Sequence, residues 1–147
     1  MKLAHGSWVL VTDGGKALIL RNRGDERRLD LNVVKVRHQS VPANRVLDRD
    51  RPGRFRTPAG DLATAACGTA HQDLEAVFIS KTVRLLDRLA DTTSSAAVVV
   101  IADPRALGIA RAALAQKPGL IVQSEIGKNL VHQEMDTIES AIARHPA

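Results

Sequence analysis

The sequence predicts an α/β fold: a single domain with a mixed five-stranded sheet flanked by helices. Three observations predict it. Short apolar runs separated by turn residues fill the first 38 positions, helical spacing sets in from His71, and strand and helix patterns then alternate to the end. At 147 residues the chain is long enough to bury one core unaided.

Trp8–Thr12 (WVLVT) and 17–23 (ALILRNR) flank Asp13-Gly14-Gly15-Lys16, whose glycines suit a tight hairpin turn. Gly24-Asp25-Glu26 makes a second turn. Leu29, Leu31, Val33 (with Val34) and Val36 then alternate with polar residues, as a half-buried third strand would. Residues 39–69 carry no usable period and read as a long basic loop. From His71, Leu74, Val77, Phe78, Leu85 and Leu89 share a helix face, and Asp91-Thr92-Thr93-Ser94-Ser95 breaks the pattern. Ala96–Ala102 (AAVVVIA) is apolar and β-branched throughout, as a strand covered on both faces must be. Asp103-Pro104 supplies a helix cap followed by proline in the first turn, and Leu107, Ala110 and Leu114 carry the helix to Lys117-Pro118-Gly119. A fifth strand over 120–124 (LIVQS) follows. A last helix has Val131, Met135, Ile138 and Ile142 on one face. The order is βββαβαβα, that of ribonuclease H-like folds, with a right-handed crossover between the last two strands.

Aromatic residues are scarce: Trp8, Phe55, Phe78 and no tyrosine, so the core must be aliphatic. A lone cysteine, Cys67, excludes an internal disulfide and suits a reducing compartment. Met1–Leu10 lacks the apolar stretch of an export signal and no run reaches membrane-spanning length, which places the expected location in the cytoplasm. Charge is unevenly spread. Residues 1–56 hold 13 Lys/Arg against 6 Asp/Glu, whereas 57–147 hold 8 against 10. A one-sided field of this kind attracts polyanions, although a basic end can also serve solubility alone.

The basic charge peaks at Arg45, Arg49, Arg51, Arg54 and Arg56. Arg51-Pro52-Gly53-Arg54 would hold guanidinium forks on a turn, where each fork can pair two phosphate oxygens. Asp48 and Asp50 interleave, so ion pairing within the loop is the competing reading. With only Phe55 nearby, backbone contact is expected rather than base stacking. Arg105, at a strand's C-terminal end and a helix start, is a further anion-contact candidate beside its plainer reading as a solvated residue next to a cap. A second constellation is acidic: Asp13 ends the first strand, Glu75 lies in the first helix and Asp103 ends the fourth strand. Ribonuclease H-like nucleases hold two divalent ions from these places, but Asp13 also suits a hairpin and Asp103 a helix cap. Asp13-Gly14-Gly15-Lys16 is faintly similar to the phosphate turn of actin-like ATPases, without their other elements. Cys67 and His71 are two ligands and make no zinc site by themselves. No dinucleotide fingerprint, phosphate-loop lysine or nucleophile elbow occurs, and no cofactor is expected.

WVLVTDGGKALIL, DRDRPGRFRTPAG, the helix from His71 through Phe78, VVVIADPRALGIAR and SEIGKNLVHQEMDTI occur in an order and spacing covering nearly the whole chain. Together they resemble the bacterial host attachment protein family, required for attachment to host cells and related to the middle domain of archaeo-eukaryotic peptide release factors. The resemblance implies a ribonuclease H-like fold and contact with RNA or the ribosome. It does not imply peptidyl-tRNA hydrolysis, because the release factors' Gly-Gly-Gln tripeptide is absent. The chain also departs from the family at Gly127-Lys128-Asn129-Leu130, where relatives often carry Asp-Lys-Asp-Leu, and keeps only His71 of an Asp-Pro-His helix opening. With no export signal in view, the attachment name is read as an indirect phenotype.

The leading expectation is therefore a non-enzymatic domain that binds RNA or the ribosome through its arginine-rich loop. A metal-dependent hydrolase using Asp13, Glu75 and Asp103 is one alternative. A protein-interaction module whose loop folds on an acidic partner is another.

Overall fold

The structure, a computed structural model, describes residues 1–39, 59–90 and 95–146, with side chains of the first helix described from Leu74 onward. The elements are β1 (Trp8–Thr12), β2 (Lys16–Asn22), β3 (Leu31–His38), α1 (Ala59–Ala90), β4 (Ala96–Ala102), α2 (Pro104–Ala115), β5 (Leu120–Ile126) and α3 (Met135–Arg144). They form one sheet of order β3-β2-β1-β4-β5. The first three strands pair antiparallel, β4 lies parallel to β1, and β5 lies parallel to β4. This is the ribonuclease H-like α/β arrangement expected from the element order.

Alternation along the strands divides the core into two layers. Trp8, Leu10, Ala17, Ile19, Val98, Val100 and Ala102 face α1 and α2, meeting Phe78, Ile79, Val83, Leu86, Ala106, Ala110 and Leu114. Val9, Val11, Leu18, Leu20, Val99 and Ile101 face the other way, onto Ile138 and Ile142 of α3 together with Leu3, Val131 and Ile126. β1 is buried at every position because it is central and covered on both faces.

Four expectations shift. Val131, expected on the last helix, lies in the turn before α3, which begins at Met135. α1 begins at Ala59 rather than near His71, so the last part of the expected 39–69 loop is helical. Its opening sequence, AGDLATAACGTA, is rich in alanine, which favours helix strongly but writes no amphipathic period. The buried stripe of α1 is Phe78, Ile79, Thr82, Val83 and Leu86, while Leu74, Val77 and Leu89 of the expected face are exposed. In β3 only Leu31 is buried; Val33, Val34 and Val36 stay exposed because this edge strand lies outside α3's cover.

At the lower end of the sheet the buried Asn22 ties three segments together. Its Nδ2 donates to the carbonyls of Leu3 (2.8 Å) and Ala4 (3.2 Å), and its Oδ1 accepts from the N–H groups of Gly24 (3.0 Å) and Asp30 (3.1 Å). Gly24 sits so tightly in this turn that a Cβ would fall 2.0 Å from the Arg28 carbonyl oxygen.

Candidate functional site

The C-terminal ends of β1 and β4 meet the upper part of α1 and the start of α2. Parallel strands end here beside helix starts, the usual place for a site in an α/β sheet. The β1–β2 turn is ordered by its own first residue. Asp13 Oδ1 accepts from the N–H groups of Gly15 and Lys16, both at 2.8 Å, and Thr12 Oγ1 donates to the Asp13 and Lys16 carbonyls at 2.9 and 3.1 Å. Asp13 Oδ2 lies 3.6 Å from Nε2 of His132, in the segment between β5 and α3.

Gly14 leaves room for Glu75. A Cβ at position 14 would stand 2.7 Å from Glu75 Cδ and 2.8 Å from Oε1, so the carboxylate occupies the space that a larger residue would fill. Glu75 Oε2 in turn lies 3.0 Å from Arg105 Nη2 on α2. The glutamate side chain is 17% exposed and that of Arg105 54%, so the pair has a shielded acid and an outward-reaching base. Asp103 caps α2: its side-chain Oδ1 accepts from Ala106 N–H at 2.9 Å, and Pro104 occupies the first turn.

The three acids of the sequence constellation thus lie at one end of the sheet, each with a local task. Asp13 orders a turn, Asp103 caps a helix and Glu75 pairs with Arg105. Among the described residues, no three His, Cys, Asp or Glu side chains are placed to hold a metal ion. Glu75–Arg105 joins a member of the acidic constellation to the one expected phosphate contact within the described residues. Arg45, Arg49, Arg51, Arg54 and Arg56 lie outside them.

Sequence reasoning passed over two participants. His132 comes 119 positions after its partner Asp13, with no motif around it. Gly14 looks like a turn glycine, and the turn did hide a second duty, since only the approach of α1 shows why a side chain is excluded there.

Farther down α2, Arg111 and Glu125 of β5 form a two-point pair, Nε to Oε1 at 2.9 Å and Nη2 to Oε2 at 2.5 Å. Hydrogen bonding to the guanidinium holds the Glu125 carboxyl below its usual range.

A search of the curated proteins returns no match. A family match runs from residue 6 to residue 142, taking in all five strands and nearly all of the three helices, and by it the chain belongs to the bacterial archaeo-eukaryotic release factor family 12.

Proposed function

We propose that this family member is a non-enzymatic protein that contacts RNA or the ribosome through the arginines of 45–56. The observation carrying the reading is that charge: Arg45, Arg49, Arg51, Arg54 and Arg56 within twelve residues of the segment joining β3 to α1. Kinship with release factors makes translation the natural setting. The chain lacks Gly-Gly-Gln, so its working segment offers guanidinium forks instead of a hydrolytic tripeptide. The carboxylates a nuclease would use are committed to a turn, a cap and an ion pair, which supports binding over catalysis. Arg105 adds a fork at the same end of the sheet, anchored on Glu75.

In this reading the chain works in the cytoplasm, and attachment to host cells is a downstream consequence of the RNA contact. Among the described residues, no helix is long and apolar enough to cross a membrane.

Binding of purified ribosomes and of a structured RNA across a salt series tests the proposal. Affinity should fall steeply with salt, and Arg49→Gln, Arg51→Gln and Arg54→Gln together should flatten that dependence. No affinity at low salt, or a triple variant indistinguishable from wild type, overturns it. Capture of an acidic protein without any RNA affinity would instead establish the interaction-module reading.

A further inference from the structure

The α1-bearing face of the sheet is only partly covered. Along β2 the register puts Ala17, Ile19 and Arg21 on this face, and across from them on β3 stand Arg37, Lys35 and Asn32. Ala17 and Ile19 are buried in the core, but Arg21 and Lys35 are exposed, so α1 stops short of the sheet's outer flank. Arg37 marks the seam: its Nη1 donates to Thr82 Oγ1 at 2.8 Å and to the Phe78 carbonyl at 3.4 Å. Beside it, α1 turns a basic stripe outward. Lys81, Arg84 and Arg88 are exposed at spacings of three and four, the repeat of one helix face.

One feature distinguishes this flank from an ordinary solvated face. Arg21 and Arg37 are held over aromatic rings, Trp8 and Phe78, each with its guanidinium carbon 5.1 Å from the ring centroid, and neither forms an ion pair among the described residues. In a chain with so few aromatics, two of them support unpaired arginines on one sheet face. Arg37 and Lys35 are two residues apart on one strand, and Arg21 lies one diagonal step beyond. The positive charges therefore advance by about 7 Å per step down the recess between helix and sheet edge.

We propose that this recess is a second, preformed contact surface for the phosphate backbone of RNA, distinct from residues 45–56. It rests on the RNA-contact reading above and extends it from that segment to the folded body. β3 runs up this flank to His38, so the surface leads toward the place where the arginine-rich segment begins. Contact is with phosphates rather than bases: the rings lie beneath the arginines, and the donors are forks and ammonium groups.

The test compares two full-length variants that lose the same charge. One carries Arg21→Gln, Lys35→Gln, Lys81→Gln and Arg88→Gln. The other carries Lys2→Gln, Lys117→Gln, Lys128→Gln and Arg144→Gln, away from the recess. Arg37 is kept because it anchors β3 to α1. Binding of a labelled RNA hairpin is followed by fluorescence polarisation against salt, with melting temperature as the folding control. The recess variant should lose at least about tenfold in affinity near 0.1 M salt, and its log–log salt slope should become shallower by about one per phosphate contact removed. The control variant should lose clearly less. Equal losses in both, or a recess variant with the wild-type slope, overturn the surface while leaving 45–56 as the contact. Failure of the wild-type chain to bind RNA at all removes the underlying reading and this one together.

Discussion

Asn22→Ala is the most informative single change for the lower half of the fold. The wild-type side chain makes four hydrogen bonds to backbone groups of Leu3, Ala4, Gly24 and Asp30, and it is completely buried. Only the bond to the Leu3 carbonyl is itself fully buried; the other three are within partial reach of water. Leaving the Leu3 acceptor unsatisfied costs about 1–3 kcal/mol, and each half-accessible bond lost about 0.5–1 kcal/mol. The total is about 2.5–6 kcal/mol, a large share of an ordinary domain's stability. Urea denaturation should show the midpoint falling at an unchanged slope, and melting should drop by roughly 8–20 °C for a chain of this size. Asn22→Asp separates hydrogen bonding from packing. It keeps the volume and the acceptor but turns a carboxylate oxygen toward two carbonyls, so its deficit should grow as pH rises above the ordinary carboxylate value of about 3.9. A loss below about 1 kcal/mol for Asn22→Ala would refute the reasoning, because it would mean that water replaces all four bonds.

Three further outcomes follow from the same geometry. Gly24→Ala should destabilise by about 3 kcal/mol or more in urea, since its Cβ would meet the Arg28 backbone rather than a movable side chain; near-neutrality would show a turn able to re-form. Gly14→Ala should push Glu75 off Arg105, and combining it with Glu75→Ala should recover about 0.5–1 kcal/mol in a double-mutant cycle; strict additivity would break the link between turn and ion pair. Because Arg111 holds the Glu125 carboxyl low, the pair's stabilisation is complete above the ordinary glutamate value of about 4.3 and is lost as pH falls through the lower folded value. Acid titration of stability should therefore be shallower over that window in Arg111→Gln, and identical curves would contradict it.

Much of the architecture was legible because its signals are local. β4 is a run of β-branched and small apolar residues, and Asp103-Pro104 writes a helix start that the Ala106 N–H bond bears out. What escaped depends on neighbours distant in sequence. The valines of β3 have the alternation of a half-buried strand, but whether a helix covers them is decided by where α3 lands. The first turns of α1 favour helix through alanine content, which a search for periodicity cannot register. In the candidate site, the strand-end positions of Asp13 and Asp103 could be read from the element order. The Glu75–Arg105 pair and the space at Gly14 could not, since they require α1 and α2 to be docked.

That ion pair also bears on the oldest alternative for such a fold, a divalent-metal site between Asp13, Glu75 and Asp103. A guanidinium already sits against Glu75, and the other two carboxylates each give an oxygen to backbone N–H groups. A metal would have to displace a cation from one acid and compete with a turn and a cap for the others. Millimolar Mg²⁺ or Mn²⁺ should therefore leave the melting temperature unchanged, because a ligand stabilises by RT ln(1 + [L]/Kd) only if the folded chain binds it. A site filled at one hundred times its Kd would add about 2.7 kcal/mol, equivalent to several degrees for a chain of this size. Arg105→Ala sharpens the measurement, since it removes the competing cation and keeps all three acids. A metal-dependent rise in that variant but not in the wild type would mean that Arg105 now fills a former metal position. A rise in the wild type that Glu75→Gln abolishes would restore the hydrolase reading and displace the binding one. No rise in either would leave the acids as parts of a turn, a pair and a cap.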